Sequence, residues 1–140
     1  MCVLTKVEDD KLRVLVSHLL DHPLLAELDL SYNVIGDRGA RALGKLVNGR
    51  SQLTRLSLPN NNVQTAGALA LAHALTRNTT LLCLDLRLNH LGDDGAKVAD
   101  LTKLSPRNSR PISLFLSLSH SLVIFVSTTY HMHVALMLRA

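Results

Sequence analysis

The sequence predicts an α/β solenoid: a short horseshoe segment with parallel strands on its concave side and helices on its convex side. Two observations carry this. One phrase is written three times at a 28-residue spacing: LAELDLSYNVIGDRGARAL from Leu25, LTRLSLPNNNVQTAGALAL from Leu53 and LLCLDLRLNHLGDDGAKVA from Leu81. Within each copy the apolar period changes from two to between three and four, the signature of a strand followed by a helix. Copies that cannot bury an apolar edge alone bury it by stacking, which makes the repeat the fold.

The strand comes first. Leu28 and Leu30, Leu56 and Leu58, and Leu84 and Leu86 stand two apart and point to one side of an extended chain. An asparagine follows in each copy, at Asn33, Asn61 and Asn89. Its amide both donates and accepts, so stacked copies predict a ladder closing the strand ends. A branched aliphatic comes next (Ile35, Val63, Leu91), then a glycine (Gly39, Gly67, Gly95) suited to close approach of neighbouring helices or to an unusual backbone angle. Ala40, Leu43, Leu46 and Val47 then mark one helix face. Asp93-Asp94 would open the third helix, where carboxylates suit the positive helix end.

Three segments follow from this pattern. Residues 1–24, with Val7 and the series Leu12, Leu15 and Leu19, fit the helix half of a preceding degenerate repeat. Residues 25–104 hold the three repeats, and residues 105–140 form a non-repeat, poorly ordered apolar tail. That tail contains no Asp, Glu, Lys or Arg from Ile112 to Leu138. Three readings of it stay open. It has the length of a membrane span, though serine and histidine interrupt it. LSLSHSLV from Leu116 copies LDLSYNVI from Leu28, which predicts a fourth strand 32 residues after Leu84. Its Leu, Ser and Phe are also what a translated pyrimidine tract encodes, as in a truncated or alternative product.

Charge and chemistry exclude more than they assign. The formal net charge is +4, but residues 1–104 carry 12 Lys/Arg against 11 Asp/Glu, and the remainder is Arg107, Arg110 and Arg139. No basic stripe with interleaved aromatics is present, so nucleic acid is not an expected partner. There is no phosphate loop, nucleophile elbow, CxxC or HExxH, so neither an enzyme nor a cofactor is expected. His131-Met132-His133 is a lone HxH without further ligands. Cys2 and Cys83 make no disulfide framework. Charges stand in the first residues where a secretory signal needs an apolar run, which reads as intracellular. The sequon Asn78-Thr79-Thr80 then reads as a polar loop.

The outward strand positions are the candidate site, because a parallel ladder sets them side by side. They supply Glu27, Asp29, Arg55, Ser57, Asp85 and Arg87, with Tyr32 just beyond the first strand. Concave solenoid faces usually hold partners, and Tyr32, Arg55 and Arg87 are of the types favoured as anchors. Glu27 and Arg55 fall opposite one another on adjacent strands.

The 28-residue frame with a full helix resembles the leucine-rich repeat family, of the ribonuclease-inhibitor type. The phrases SHLLDHP, IGDRGAR and LRLN are similar to one axonemal branch of it, among subunits of the nexin–dynein regulatory complex. That resemblance implies a non-enzymatic structural subunit or fragment in the cytoskeleton of cilia and flagella, with other subunits of the complex as partners. A repeat fragment of an innate-immune receptor is an alternative, since IGDRGARAL-like phrases occur there. So is a cytosolic binder resembling ribonuclease inhibitor, whose cysteine-rich repeats and acidic face this chain lacks.

Overall fold

The computed structural model describes residues 6–48, 51–92, 97–98, 112–119, 122–127 and 133–138. Helices and strands alternate: α1 (Asp9–Leu19), β1 (Glu27–Asp29), α2 (Asp37–Asn48), β2 (Arg55–Ser57), α3 (Thr65–Leu75) and β3 (Cys83–Leu86). Three further strands follow, β4 (Ser113–Ser119), β5 (Leu122–Ser127) and β6 (His133–Leu138). One sheet takes them in chain order, parallel from β1 to β4 and antiparallel from β4 to β6.

Register follows the sequence period. Leu28 lies beside Leu56 and Leu56 beside Leu84, so equivalent leucines stack in rows. Leu30, Leu56, Leu58, Leu84 and Leu86 are buried between the sheet and the helices, with Leu43, Leu46, Leu71 and Leu75 facing them. In α1 the buried face is Leu12 and Val16, whereas Leu15 is exposed. The face thus steps by four from Leu12 to Val16, against an expectation that ran through Leu15.

Gly39 and Gly67 stand where neighbouring repeats come closest. A Cβ on Gly67 would lie 2.5 Å from Asp37 Oδ1 and 2.9 Å from the Ala40 Cβ. One on Gly39 would lie 2.6 Å from Asp9 Oδ1. Neither glycine has a positive φ, so close approach rather than backbone angle is the reason for them. The third helix is described only at Lys97 and Val98, the latter fully buried. Asp93, Asp94 and Gly95 lie outside the described residues.

Of the readings open for the tail, the described part takes the strand. Its register differs from the expected one: Leu84 pairs with Leu114 and Leu86 with Leu116, an offset of 30 residues rather than 32. A strand's side chains repeat every two residues, so a slip by two keeps the same face inward. The alternation Ile112, Leu114, Leu116 satisfies either register, and Ile112 and Leu114 are buried. Among the described residues no helix is long and apolar enough to cross a membrane. His131 of the HxH pair lies outside the described residues.

Leu56 is fully buried on β2, with a strand on each side. Leu56→Ala should therefore cost about 2–5 kcal/mol, because flanking strands cannot collapse into the space. Urea unfolding checks this, and a loss below about 1 kcal/mol would place Leu56 outside the tightly packed core.

Candidate functional site

The concave face is built from the residues that alternate with the buried leucines. Its rows read Glu27, Arg55, Cys83, Ser113 and then Asp29, Ser57, Asp85, Phe115. The tail strand thus extends both rows and adds an aromatic to the second.

Charges on this face are largely met from within it. Arg55 Nε lies 3.9 Å from Glu27 Oε1, and both groups are well exposed, so the pair contributes little to stability. Arg87 grips Asp85 more firmly: its Nε donates to Oδ1 at 2.9 Å and its Nη2 to Oδ2 at 2.6 Å. Its guanidinium also stands 5.4 Å from the centre of the Phe115 ring. The hydrogen bonds to Asp85 raise the Arg87 pKa further above its ordinary value. Asp85 is buried beneath this clamp, whereas sequence alone set it on an open surface. Asp29 accepts from the hydroxyl and the backbone N–H of Ser31, which hold its carboxyl below the usual carboxylate range. Burial pushes the half-buried Cys83 thiol up.

At the rim the backbone turns sharply. Tyr32, Asn60 and Leu88 occupy one position of the frame and all have positive φ, at 59°, 55° and 55°. That region is uncommon for residues other than glycine and asparagine and is sterically costly. Tyr32 and Leu88 are nevertheless large and exposed. Their 28-residue spacing sets the three in one row of the frame, and nothing in the residue types marks the strain.

Beneath the rim, three asparagines join the repeats. Asn61 Oδ1 accepts from Ile35 N–H at 3.0 Å, while its Nδ2 donates to Leu30 and Leu58 carbonyls at 2.9 and 3.1 Å. Asn89 repeats this with Val63 N–H, Leu58 and Leu86. Asn33 accepts from Val7 N–H at 2.8 Å and donates to the Leu30 carbonyl. Each amide thus binds its own strand end, and each reaches the preceding unit.

A second set of joints was missed. Asp9 accepts from Gly36 N–H at 2.7 Å, and Asp37 accepts from Gln64 and Gly67 N–H groups at 2.8 and 2.9 Å. Each carboxylate caps the helix start of the following repeat, where donors lack helical partners. The 28-residue step from Asp9 to Asp37 was the available signal. Asn78 stands in the polar loop expected of it, but its side chain turns inward. It is buried, donates to the Val47 carbonyl at 2.7 Å and accepts from Thr80 and Leu81 N–H groups. Its amide nitrogen, where a glycan would attach, is already in use. Among the described residues no group of three or more His, Cys, Asp or Glu side chains is arranged to hold a metal.

Residues 22–44, 52–72 and 77–98 each match the Leucine Rich repeat family. Residues 22–98 form a leucine-rich repeat array. The chain is 56% identical over 80 residues to Dynein regulatory complex subunit 5 of Macaca fascicularis, covering 57% of this chain and 16% of that one. With the Mus musculus protein of the same name it is 68% identical over 41 residues, 29% of this chain and 8% of the relative. The chain therefore spans a small part of the relatives it matches. In three dimensions it is similar to Leiomodin-1 Actin-Binding Site 2, with a TM-score of 0.65 and 21% identity over 81% of this chain and 64% of that one. That likeness concerns the fold alone.

Leu88 offers a test of the rim geometry. Leu88→Asn keeps the turn with a residue that tolerates positive φ, and Leu88 is 55% exposed, so little burial is lost. A gain of about 0.5–1 kcal/mol in urea unfolding is expected. A loss would mean that the leucine side chain contributes packing that outweighs the strain.

Proposed function

We propose that this chain acts as a non-enzymatic scaffold within a nexin–dynein regulatory complex, in the axoneme of cilia or flagella. In this reading residues 1–24 are the helix half of a preceding degenerate repeat, residues 25–104 provide the three repeats and residues 105–140 are a non-repeat apolar tail. The observation that carries the proposal is the 56% identity over 80 residues to a protein named Dynein regulatory complex subunit 5. Leucine-rich repeats support protein binding as the coarser statement.

The contact surface in this proposal is the concave face: Glu27, Asp29, Tyr32, Arg55, Ser57, Asp85 and Arg87. Within it Tyr32 and Arg55 are the best anchors. Tyr32 is 66% exposed despite a strained backbone, and Arg55 is held only by a long, solvated ion pair. Arg87 is less free to serve a partner, because Asp85 and Phe115 already engage it. Reversing Arg87 would also face a carboxylate against buried Asp85, so it is a poor probe of binding.

The test is co-sedimentation of the full chain with demembranated axonemes. Tyr32→Ala combined with Arg55→Glu should lower the bound fraction roughly tenfold while leaving circular dichroism unchanged. Binding equal to that of the parent would remove the concave face from the contact.

A further inference from the structure

The helical side of the array presents a different electrostatic surface from the sheet. Two grooves run between neighbouring helices. The groove between α1 and α2, about 590 Å³ in volume, is lined by Arg13, Val14, Leu20, Arg38, Arg41 and Lys45. The groove between α2 and α3 is lined by Arg41, Lys45, His73 and Arg77 among smaller residues. Neither lining contains an aspartate or a glutamate. Arg41 and Lys45 belong to both, standing four apart on α2 where they share one face.

Like charges at that spacing repel, and proteins usually relieve them with a nearby carboxylate. Here Arg38 has such a partner, Asp10 Oδ1 at 2.8 Å. Among the described residues Arg13, Arg41, Lys45 and Arg77 have none within ion-pair distance. The other first-turn carboxylates on these helices are engaged elsewhere, since Asp9 and Asp37 accept from backbone N–H groups at the repeat joints. On the sheet side the reverse holds: Arg55 and Arg87 each face an in-chain carboxylate. The near-neutral charge of the repeats is thus unevenly distributed, with cations collected on the convex side.

We propose that the paired convex grooves bind an acidic polypeptide segment, its carboxylates distributed along Arg13, Arg41, Lys45 and Arg77. Charge complementarity names the partner's chemistry. The apolar part of the first groove's lining, where Val14 is 60% exposed beside Leu20, favours a polypeptide with aliphatic stems over a nucleic acid strand. Stacking platforms for bases are also missing, since neither lining contains a Phe, Tyr or Trp. This surface is separate from the concave face, and either contact can stand without the other.

The experiment measures fluorescence anisotropy of a labelled deca-glutamate peptide titrated with the full chain at low and moderate salt. The parent should bind, and Arg41→Glu with Lys45→Glu should weaken binding roughly tenfold or more. Arg41→Gln with Lys45→Gln should weaken it less, with circular dichroism confirming that each variant is folded. Lys6→Glu with Lys11→Glu, exposed residues that line neither groove, makes the same charge change elsewhere and should have a much smaller effect. Equal weakening by the two reversals would reduce the effect to net charge and overturn the site. So would absence of binding by the folded parent. An oligothymidylate of equal charge that binds as tightly as the peptide would overturn the assignment of a polypeptide partner.

Discussion

The array depends on one interaction repeated along it, the side-chain amide that closes each strand end. Parallel strands of three or four residues offer few backbone hydrogen bonds, and their carbonyls end where the chain turns toward the helix. Without a donor those carbonyls would be buried and unpaired, a state that costs about 1–3 kcal/mol each. Asn61 supplies the donor to Leu30 and Leu58 and accepts from Ile35, so a single side chain serves two repeats. An uncharged amide donates twice from its nitrogen and accepts at its oxygen, whereas a hydroxyl has a single proton to donate. Aspartate would keep the acceptor and lose the donor.

The carboxylate joints complement this arrangement on the helical side. Asp9 and Asp37 each reach forward to cap the next helix, and Gly39 and Gly67 leave the space those carboxylates occupy. Asparagine reaches backward and aspartate forward, so the first two interfaces are fastened at both layers, while at the next one Thr65 stands in the aspartate's place and donates to the Leu91 carbonyl. With rows of leucine between, the repeats become one cooperative stack. The same fastening directs charge: carboxylates are drawn into the joints, and the convex grooves are left cationic.

Much of this was legible because the chain repeats. The leucine rows, the asparagine position and the glycine position follow from the 28-residue frame, and the helix face follows from its change of period. Other features hide for physical reasons. The tail's register was ambiguous because alternating leucines fit two registers separated by two residues. Positive φ at Tyr32 and Leu88 leaves no mark in composition, since neither residue type favours it. Asp85 was read as an open surface group because its burial comes from Arg87 folding back over it two residues on. Asn78 imitates a surface sequon while acting as an internal brace. The carboxylate caps were readable from Asp9 and Asp37 but were hidden among charges that look like ordinary helix starts.

The most direct measurement is native-state hydrogen exchange on Asn61→Ala. If the amide fastens neighbouring repeats, overall stability should fall by about 1–3 kcal/mol. The Ile35 N–H, which now bonds to Asn61 Oδ1, should then exchange through a local opening well below the global unfolding free energy. Protection of Ile35 that stays equal to that of the core leucines would contradict the account, and would assign the coupling between repeats to the packed leucine rows alone.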